Sequence, residues 1–375
     1  MNIYDELGLR TLVNCAGTYT IIGGSKMSSG TTSIMAEAAQ SHVEIRAMLS
    51  AVNSRIAEMT QNEDACITSG AMAGIYLTIA SCISMKYEKE FRYISKETVR
   101  ESEVIMFRAH RNPYDQALEL LGVKLIESGY PNNIAVRTTT DLEHLITDKT
   151  AAVFYLDSAP GGWLAPGALD LDSTIKIAES KGIPVIVDAA AQLPPVSNLW
   201  NYTKRGAAAA LFSGGKDLRG PQSTGLVLGK NVLLKWLHLN NFPNYGIGRI
   251  YKVGREEIAG LYNAVKEYVQ ADEDSRIAWC EEVVGMFADA FSDSSILSMT
   301  RAYPNEAGQP VPRARIDILS ADLNAEKLRE QLLSLERAVF TMIENGHLYI
   351  NPVMMDQEEA EYVLKELKEI EGSYS

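Results

Sequence analysis

Short apolar runs rich in β-branched residues alternate with helix-like segments between about residue 70 and residue 230. Segments of that length suit crossover connections between parallel strands, and a parallel sheet is covered by helices on both faces. The alternation therefore predicts an α/β fold with a mostly parallel central sheet. The predicted strands are residues 104–107, 123–126, 151–156, 183–187, 208–212 and 224–228. The predicted helices are residues 72–85, 113–121, 141–146 and 173–181.

The pattern changes after Gly254. Residues 256–291 contain no proline and carry apolar residues three or four apart, which predicts one long helix. Strand-like pieces at 296–299, 315–319 and 347–350 follow, with helices near 325–335 and 356–370, the last starting at a capping Asp356. We predict three parts: an N-terminal arm (1–45), a large domain (46–255) and a small α/β C-terminal domain (256–375).

Composition limits the class of protein. A hydrophobic content of 46% and a charged content of 22% are ordinary for a globular protein, and a net charge of −13 disfavours nucleic acid as the main partner. The four cysteines, Cys15, Cys66, Cys82 and Cys280, show no metal-ligand spacing and are typical of a reducing compartment. Without a signal-like start or a membrane-length apolar run, we expect a cytoplasmic protein that holds no metal.

One lysine has an unusual position. Lys216 follows the predicted strand 208–212, behind Ser213 and two glycines. Ligands of such sheets bind outside the carboxyl ends of the strands, and a lysine kept there from bulk water can lose its proton and attack a carbonyl. Because a lone lysine is usually a surface residue, Lys216 needs support from other motifs.

Asp188 gives that support, because it ends the predicted strand 183–187. A carboxylate beside a pyridinium nitrogen keeps the ring cationic, and the alanines after Asp188 leave room for a flat ring. A strand-end aspartate can also be a helix cap or an ion-pair partner. Taken together, Lys216 and Asp188 are what a site for pyridoxal 5'-phosphate (PLP) requires of its protein.

Two further motifs suit such a site. Ser69, Gly70 and Ala71 open the predicted helix 72–85, where free N–H groups and the helix dipole favour a phosphate, to which Ser213 can add a hydroxyl. Ser-Gly can equally be a simple helix cap. His110 follows the strand 104–107 and can stack on a ring or move protons, while Arg111 can hold an anion; a solvated loop is the alternative.

In this order the motifs resemble those of the fold-type I PLP-dependent enzymes, specifically the selenocysteine synthase-like branch. The similarity is carried by Ser-Gly-Ala at 69–71, by Asp188 and by the run 213–225, SGGKDLRGPQSTG. It extends over nearly the whole chain, from residues 14–18 to residues 248–257. Within that branch the chain is most similar to the group of D-glucosaminate-6-phosphate ammonia-lyases.

The resemblance implies roles for single residues. Lys216 would hold PLP as a Schiff base and remove the substrate α-proton, Asp188 would pair with the ring nitrogen, and His110 and Ala190 would face the two sides of the ring. The implied cofactor-binding residues are Ser69, Gly70, Ala71, His110, Asp188, Ala190, Ser213 and Lys216.

The resemblance also implies a lyase that removes water and ammonia from D-glucosaminate 6-phosphate to give 2-dehydro-3-deoxy-D-gluconate 6-phosphate. Such a substrate needs cationic clamps for a carboxylate and a phosphate. The candidate substrate-binding residues are Arg111, Arg249, Lys252 and Arg313, with Arg255 and Arg315 as further possibilities. A homodimer or larger homo-oligomer is expected, and a tRNA substrate is not.

Other functions stay open. A different PLP enzyme of the same branch, such as an amino-acid β-lyase, a racemase or an aldolase, would keep Lys216 without a distal phosphate clamp. An aminotransferase would need a keto-acid acceptor and would release no ammonia. A non-catalytic binding protein on this fold would have no need of both Lys216 and Asp188.

Overall fold

The computed structural model describes residues 3–131, 138–157 and 164–374. The chain divides into two compact units. The large unit is Met27–Ala271, and the small unit combines Met1–Lys26 with Asp272–Ser375.

The strands of the described residues are β1 (Leu12–Asn14), β2 (Asp64–Thr68), β3 (Glu103–Phe107), β4 (Lys124–Ser128), β5 (Thr150–Leu156), β6 (Val185–Asp188), β7 (Ala209–Ser213), β8 (Gly225–Gly229), β9 (Leu297–Ala302), β10 (Arg313–Ile318), β11 (Ala338–Phe340), β12 (Met342–Glu344) and β13 (His347–Ile350).

The α-helices of the same residues are α1 (Ile3–Glu6), α2 (Ser29–Ala39), α3 (Ile45–Met59), α4 (Gly70–Tyr87), α5 (Lys96–Glu101), α6 (Gln116–Leu121), α7 (Thr139–Leu145), α8 (Leu171–Ser180), α9 (Asn198–Lys204), α10 (Asn231–Asn240), α11 (Arg255–Gln270), α12 (Glu273–Ala290), α13 (Ala325–Ser334) and α14 (Gln357–Gly372). Among them, no helix is long and apolar enough to cross a membrane.

The large unit is built on a seven-stranded sheet with the order β2-β8-β7-β6-β5-β3-β4. Every neighbouring pair from β7 to β4 is parallel, and β8 alone runs against both of its neighbours. All five residues of β3 are buried, as expected for a strand covered on both faces. The predicted α/β fold with a mostly parallel sheet is therefore confirmed.

Helices cover both faces of this sheet. Along β3, Ile105 and Phe107 belong to one apolar cluster with residues of α3, α8, α9 and α11, whereas Val104 and Met106 belong to the cluster that contains residues of α4, α6 and α10. Successive side chains of a strand point to opposite faces, so one short apolar run supplies both cores. This explains why these strands read as continuous apolar runs in the sequence.

The small unit contains a four-stranded antiparallel sheet with the order β12-β13-β10-β9, and β1 pairs in parallel with β11. Helices α12, α13 and α14 contribute to its apolar core. Asp356 begins α14 as predicted, because its side chain accepts the Glu359 N–H while the Glu359 side chain accepts the Asp356 N–H.

The unit boundaries differ from the predicted ones at both ends. The predicted arm is divided, since β1 pairs with β11 in the small unit while α2 packs on α11 in the large unit, where a Cβ on Gly260 would lie 2.8 Å from Met35. The single long helix predicted for 256–291 is wrong. Ala271 is extended and the Asp272 side chain accepts the Ser275 N–H at 3.1 Å, which starts α12 as a new helix.

The sequence also failed to predict β2. Its apolar run is only Ala65, Cys66 and Ile67, between Asp64 and Thr68, and this is too short to show a strand pattern. The strand exists because the antiparallel pairing with β8 satisfies its backbone.

Candidate active site

Separate sequence motifs converge at one edge of the large sheet. Because β2, β7, β6, β5 and β3 run in the same direction, their carboxyl ends lie along that edge. Thr68 pairs with Gly225 and Gly225 pairs with Ser213 across β8, while Asp188 pairs with Leu211. With neighbouring strands about 4.8 Å apart, Ser69, Asp188 and the loop that carries Lys216 are close neighbours.

The backbone at the start of α4 is shaped by glycines. Gly70 has φ +81°, a left-handed conformation that a side chain disfavours. A Cβ on Gly225 would lie 2.4 Å from the Gly70 carbonyl carbon and 2.7 Å from the Ala71 nitrogen, so only glycine fits there. Ser69 is the N-cap residue of α4, and its side chain makes no capping hydrogen bond. The first N–H groups of α4 can therefore serve an anion placed beside Ser69 and Ser213.

The loop that carries Lys216 is held in place on both sides. A Cβ on Gly214 would lie 2.0 Å from Thr224 Oγ1, and the Gly214 N–H donates to the Thr224 carbonyl at 2.8 Å. After the lysine, the Lys216 carbonyl accepts the Arg219 N–H at 2.9 Å, and Tyr268 donates its hydroxyl to the buried Asp217 at 2.6 Å. These contacts fix the backbone position of Lys216 at the sheet edge.

Asp188 is only 3% exposed, and its Oδ1 accepts the Ala190 N–H at 3.0 Å. Burial raises the pKa of the Asp188 carboxyl, whereas the Ala190 N–H and the positive charge of Lys216 oppose that rise. The Lys216 charge therefore acts on Asp188, as the sequence motif requires. A buried carboxylate with one backbone hydrogen bond is suited to pair with a cation that a ligand brings.

His110 is buried beside the same edge, at the end of a 3₁₀ turn after β3. Its Nδ1 accepts the Leu156 N–H at 3.4 Å, and its ring makes edge contacts with Tyr155 and Phe107, with centroids 4.6 and 5.3 Å away. Burial lowers the pKa of His110 to about 4. The ring is therefore neutral at pH 7, a state that suits stacking against a flat group better than donating a proton.

Arg111, the next residue, is occupied by the protein itself. Its guanidinium donates to Asp115 at 2.5 Å, to Glu127 at 2.6 Å and to Glu119 at 3.3 Å. The hydrogen bonds with Asp115 and Glu127 outweigh burial and raise the pKa of Arg111 further above its ordinary value. Arg111 is therefore a poor candidate for a substrate clamp.

The other predicted clamps differ in their surroundings. Within the small unit Arg313 is buried, donates to Glu344 at 2.5 and 3.1 Å and pairs with Glu306, and Arg315 pairs with Asp317. In the large unit Arg255 donates to the Ala38 and Ala39 carbonyls.

Of the predicted substrate-binding residues of the large unit, Arg249 and Lys252 are the two that have not yet been placed. Arg249 lies 5.8 Å from the Phe242 ring, and Lys252 is exposed; among the described residues neither has an ion-pair partner. They are therefore the candidate anion ligands that the large unit offers.

Sequence reasoning missed three contributors to this site. Gly225 ends the run 213–225 of the sequence analysis. Its lack of a side chain lets the Gly70 backbone lie close to it, and this approach depends on the pairing of β2 with β8. Asp217 and Tyr268 anchor the lysine loop from positions 51 residues apart, which no local signal connects.

PLP fits the residues that are present. A Cβ on Gly70 would meet no atom within 4 Å, so the start of α4 has open space, and the buried Asp188 accepts one backbone hydrogen bond, from the Ala190 N–H. The neutral aromatic surface of His110 lies at the same edge.

The fold is that of the fold-type I PLP-dependent enzymes, and the site residues lie where that fold places its cofactor. The chain is 29% identical to the D-glucosaminate-6-phosphate ammonia lyase of Salmonella typhimurium over 385 residues, with 98% of each chain covered. It is 28% identical to a 5'-C-glycyluridine monooxygenase-decarboxylase of a Streptomyces species, over 98% of this chain and 91% of the other.

Solved structures agree on the fold. A structure of D-glucosaminate-6-phosphate ammonia-lyase superposes with a TM-score of 0.81 at 28% identity, covering 100% of this chain and 99% of that one. A ureidoglycine-glyoxylate aminotransferase of Bacillus subtilis shares the fold at 14% identity, with a TM-score of 0.59 over 98% and 94% of the two chains. No family model matches the chain.

Proposed function

We propose that this enzyme uses PLP to release ammonia from D-glucosaminate 6-phosphate, giving 2-dehydro-3-deoxy-D-gluconate 6-phosphate. The observation that carries the proposal is the buried Asp188 within range of the Lys216 charge, at the sheet edge where α4 begins. The likeness to an ammonia lyase over almost the whole chain supports the choice of substrate.

Each residue of the edge has a task in this proposal. Lys216 would hold the cofactor through its ε-amine, and residues 69–71 with Ser213 would hold its phosphate. Asp188 would pair with the ring nitrogen, with His110 and Ala190 against the ring faces. Bound PLP supplies an acceptor for the electrons left at the substrate α-carbon when its proton departs.

Lys216 then serves as the base. Its unprotonated ε-amine takes the proton from C2 of the substrate, and the hydroxyl at C3 leaves as water. A water is taken up again when the C2–N bond is hydrolysed, so ammonia is the net product released. The buried His110, whose pKa is lowered to about 4 by burial, would exclude water from the ring without exchanging protons at pH 7.

The substrate carries two anionic groups, so two clamps are needed. In the large unit Arg249 and Lys252 are the candidates, because Arg111 and Arg255 already have protein partners. Arg313 is the candidate of the small unit, where a substrate carboxylate would have to compete with Glu306 and Glu344 for its guanidinium.

The test has two stages. An absorption spectrum of the purified protein with PLP, before and after borohydride, should show a visible band in the native protein and none in Lys216→Ala. Absence of the band from native protein would remove the PLP proposal. Ammonia and 2-keto acid release are then assayed with D-glucosaminate 6-phosphate, its unphosphorylated form and serine; release from serine alone would exclude the sugar acid.

A second candidate follows from the other relative. This chain is 28% identical, over 98% of its length, to a 5'-C-glycyluridine monooxygenase-decarboxylase. That similarity favours, as the alternative, a decarboxylation that consumes oxygen. Measuring oxygen uptake and carbon dioxide release separates the two, since the lyase reaction needs neither.

A further inference from the structure

Asp157 directly follows β5, at the sheet edge of the large unit that carries the candidate site. Its N–H donates to the Asp188 carbonyl at 3.0 Å, and the residue before it, Leu156, pairs with Asp188 across the two strands. The Leu156 N–H also donates to His110 Nδ1 at 3.4 Å. Asp157 therefore lies beside two of the proposed cofactor-binding residues, one strand away from Asp188.

One oxygen of the Asp157 carboxylate is held by the protein. Tyr202 of α9, which is 2% exposed, donates its hydroxyl to Asp157 Oδ2 at 2.5 Å. Burial and the negative charge of Asp157 raise the pKa of Tyr202 well above its ordinary value, so its hydroxyl remains a donor at pH 7. A buried donor of this kind fixes the direction in which the carboxylate points.

The other oxygen is open to a ligand. Asp157 is partly exposed, and within the described ranges its Oδ1 has no hydrogen-bond partner and its carboxylate has no ion pair. Oδ1 is not one of the side-chain atoms that are buried without a partner, so solvent reaches it. Because the buried Tyr202 covers one side of the carboxylate, the accessible side faces the space outside the strand ends, where ligands of such sheets bind.

The neighbouring charged groups on and near α8 are already occupied. Asp170 accepts the N–H and the hydroxyl of Ser173, both at 2.8 Å, and Arg205 donates to Asp172 at 2.7 Å. Asp157 therefore differs from these aspartates in keeping an acceptor for a ligand. A carboxylate with an open acceptor favours a hydroxyl or an ammonium and disfavours another anion.

The donor groups of the proposed substrate narrow the choice. D-glucosaminate 6-phosphate offers its ammonium and its hydroxyls, and the ammonium nitrogen is the atom that joins the cofactor. We propose that Asp157 binds a hydroxyl of the substrate chain through Oδ1, with Tyr202 as the residue that positions the carboxylate. This inference rests on the proposed function, and it assigns to Asp157 the preference for a polyhydroxylated substrate.

The test uses two ligands without an amine, which cannot react with the cofactor. D-gluconate 6-phosphate carries the hydroxyls, and 6-phosphohexanoate has the same two anionic groups on a chain without hydroxyls. Calorimetry on the holoenzyme gives both dissociation constants, and absorption gives the affinity for PLP. The native holoenzyme should bind D-gluconate 6-phosphate more tightly than 6-phosphohexanoate.

Asp157→Asn is the main variant. Its amide oxygen can still accept the Tyr202 hydroxyl, which leaves an NH₂ group in the place of Oδ1. The lost charge acts on both anionic ligands alike and cancels in the ratio of their dissociation constants. The preference for D-gluconate 6-phosphate should fall about tenfold, with the affinity for PLP unchanged. Asp172→Asn, at an exposed position of α8, removes the same charge and should leave the preference unchanged.

Tyr202→Phe tests the positioning role. It removes the hydroxyl that fixes the carboxylate and should lower the same preference by about threefold. A purely structural Tyr202 would lower the melting temperature and leave the preference unchanged. This variant also tests the proposal if Asp157→Asn does not fold.

Three results would overturn the proposal. Equal binding of the two ligands to the native holoenzyme shows that hydroxyls are not recognised, and an unchanged preference in Asp157→Asn shows that none of them contacts Asp157. A lower affinity for PLP with an unchanged preference assigns Asp157 to the cofactor instead. Failure of the proposed function is a separate result, because ammonia release from D-glucosaminate 6-phosphate by the native enzyme decides it.

Discussion

The sheet edge around Lys216 and the ion-pair cluster around Arg111 each contain a residue that the sequence predicts to be functional. They differ in how many protein partners the fold gives to their charged groups. Asp188 is buried and accepts one backbone hydrogen bond, and the positive charge of Lys216 opposes the rise in its pKa that burial causes. Arg111 is surrounded by three carboxylates of its own chain. Only the first region keeps a buried charge for an incoming ligand.

A charged residue is available to a ligand only where the fold gives it few protein partners. Asp115 is four residues from Arg111 and could be foreseen as a partner, but Glu127 reaches it from β4. Variants in the two regions should therefore differ in their effects.

Removing Lys216 should have the largest effect. Lys216→Ala takes away the amine that holds the cofactor and moves the C2 proton, so kcat/KM for ammonia release should fall by roughly 10³-fold or more. Lys176→Ala, an exposed lysine of α8, is the control and should be unchanged. Equal activity of both variants would show that the edge is not the reaction centre.

The next largest effect is expected from Asp188→Asn. The amide keeps the size and can still accept the Ala190 N–H, but it removes the charge that a cationic ring nitrogen needs. We expect a loss in kcat of roughly 10²- to 10³-fold, the size typical of losing one directed electrostatic contact. The melting temperature should stay the same or rise, because the native state no longer buries a carboxylate. A fall in stability with kcat unchanged would make Asp188 a structural residue.

His110 gives a pH-dependent effect. Burial holds its folded pKa at about 4, below the ordinary 6.5, so the unfolded chain binds more protons between these values. The stability that His110 contributes is present above pH 6.5 and is lost as the pH falls, by about 2 kcal/mol at pH 5. Urea unfolding at pH 7.5 and pH 5 should show this loss, and His110→Gln should reduce it by that amount. An unchanged pH dependence in the variant would place the titration elsewhere.

The smallest effect is expected from Arg111→Gln, because an ion-pair network at a partly exposed position contributes little. The free energy of unfolding should fall by about 1 kcal/mol, with the KM of the substrate unchanged. Glu119→Gln, which touches the exposed side of the same cluster, should change less. A KM raised about tenfold with normal stability would return Arg111 to the substrate site.

Much of the fold follows from local patterns. Six of the seven strands of the large sheet are where the apolar runs predict them, because strands buried on both faces leave a run that needs no tertiary information. The missed strand β2 has too short a run. The sequence did not predict the break between α11 and α12, because the apolar spacing continues across it. Asp272 is recognised as a helix cap only from the extended backbone of Ala271 before it.

The site was partly predictable for the same reason. Ser69, Asp188, Ser213 and Lys216 each stand at the end of a strand or the start of a helix, and parallel strands bring such ends to one edge. The contact between Asp217 and Tyr268 could not be predicted from the sequence, because it depends on how α11 packs against the lysine loop.

The candidate site residues and their order can be read from the sequence alone, since apolar periodicity, glycines and strand ends are local properties of a chain. Which of the charged candidates lack protein partners depends on the folded structure. The burial of Asp188 and His110 and the ion pair between Arg111 and Glu127 depend on how separate elements pack together. Electrostatic free energy is set by the distance and burial of all neighbouring charges, and those are fixed only when the chain has folded.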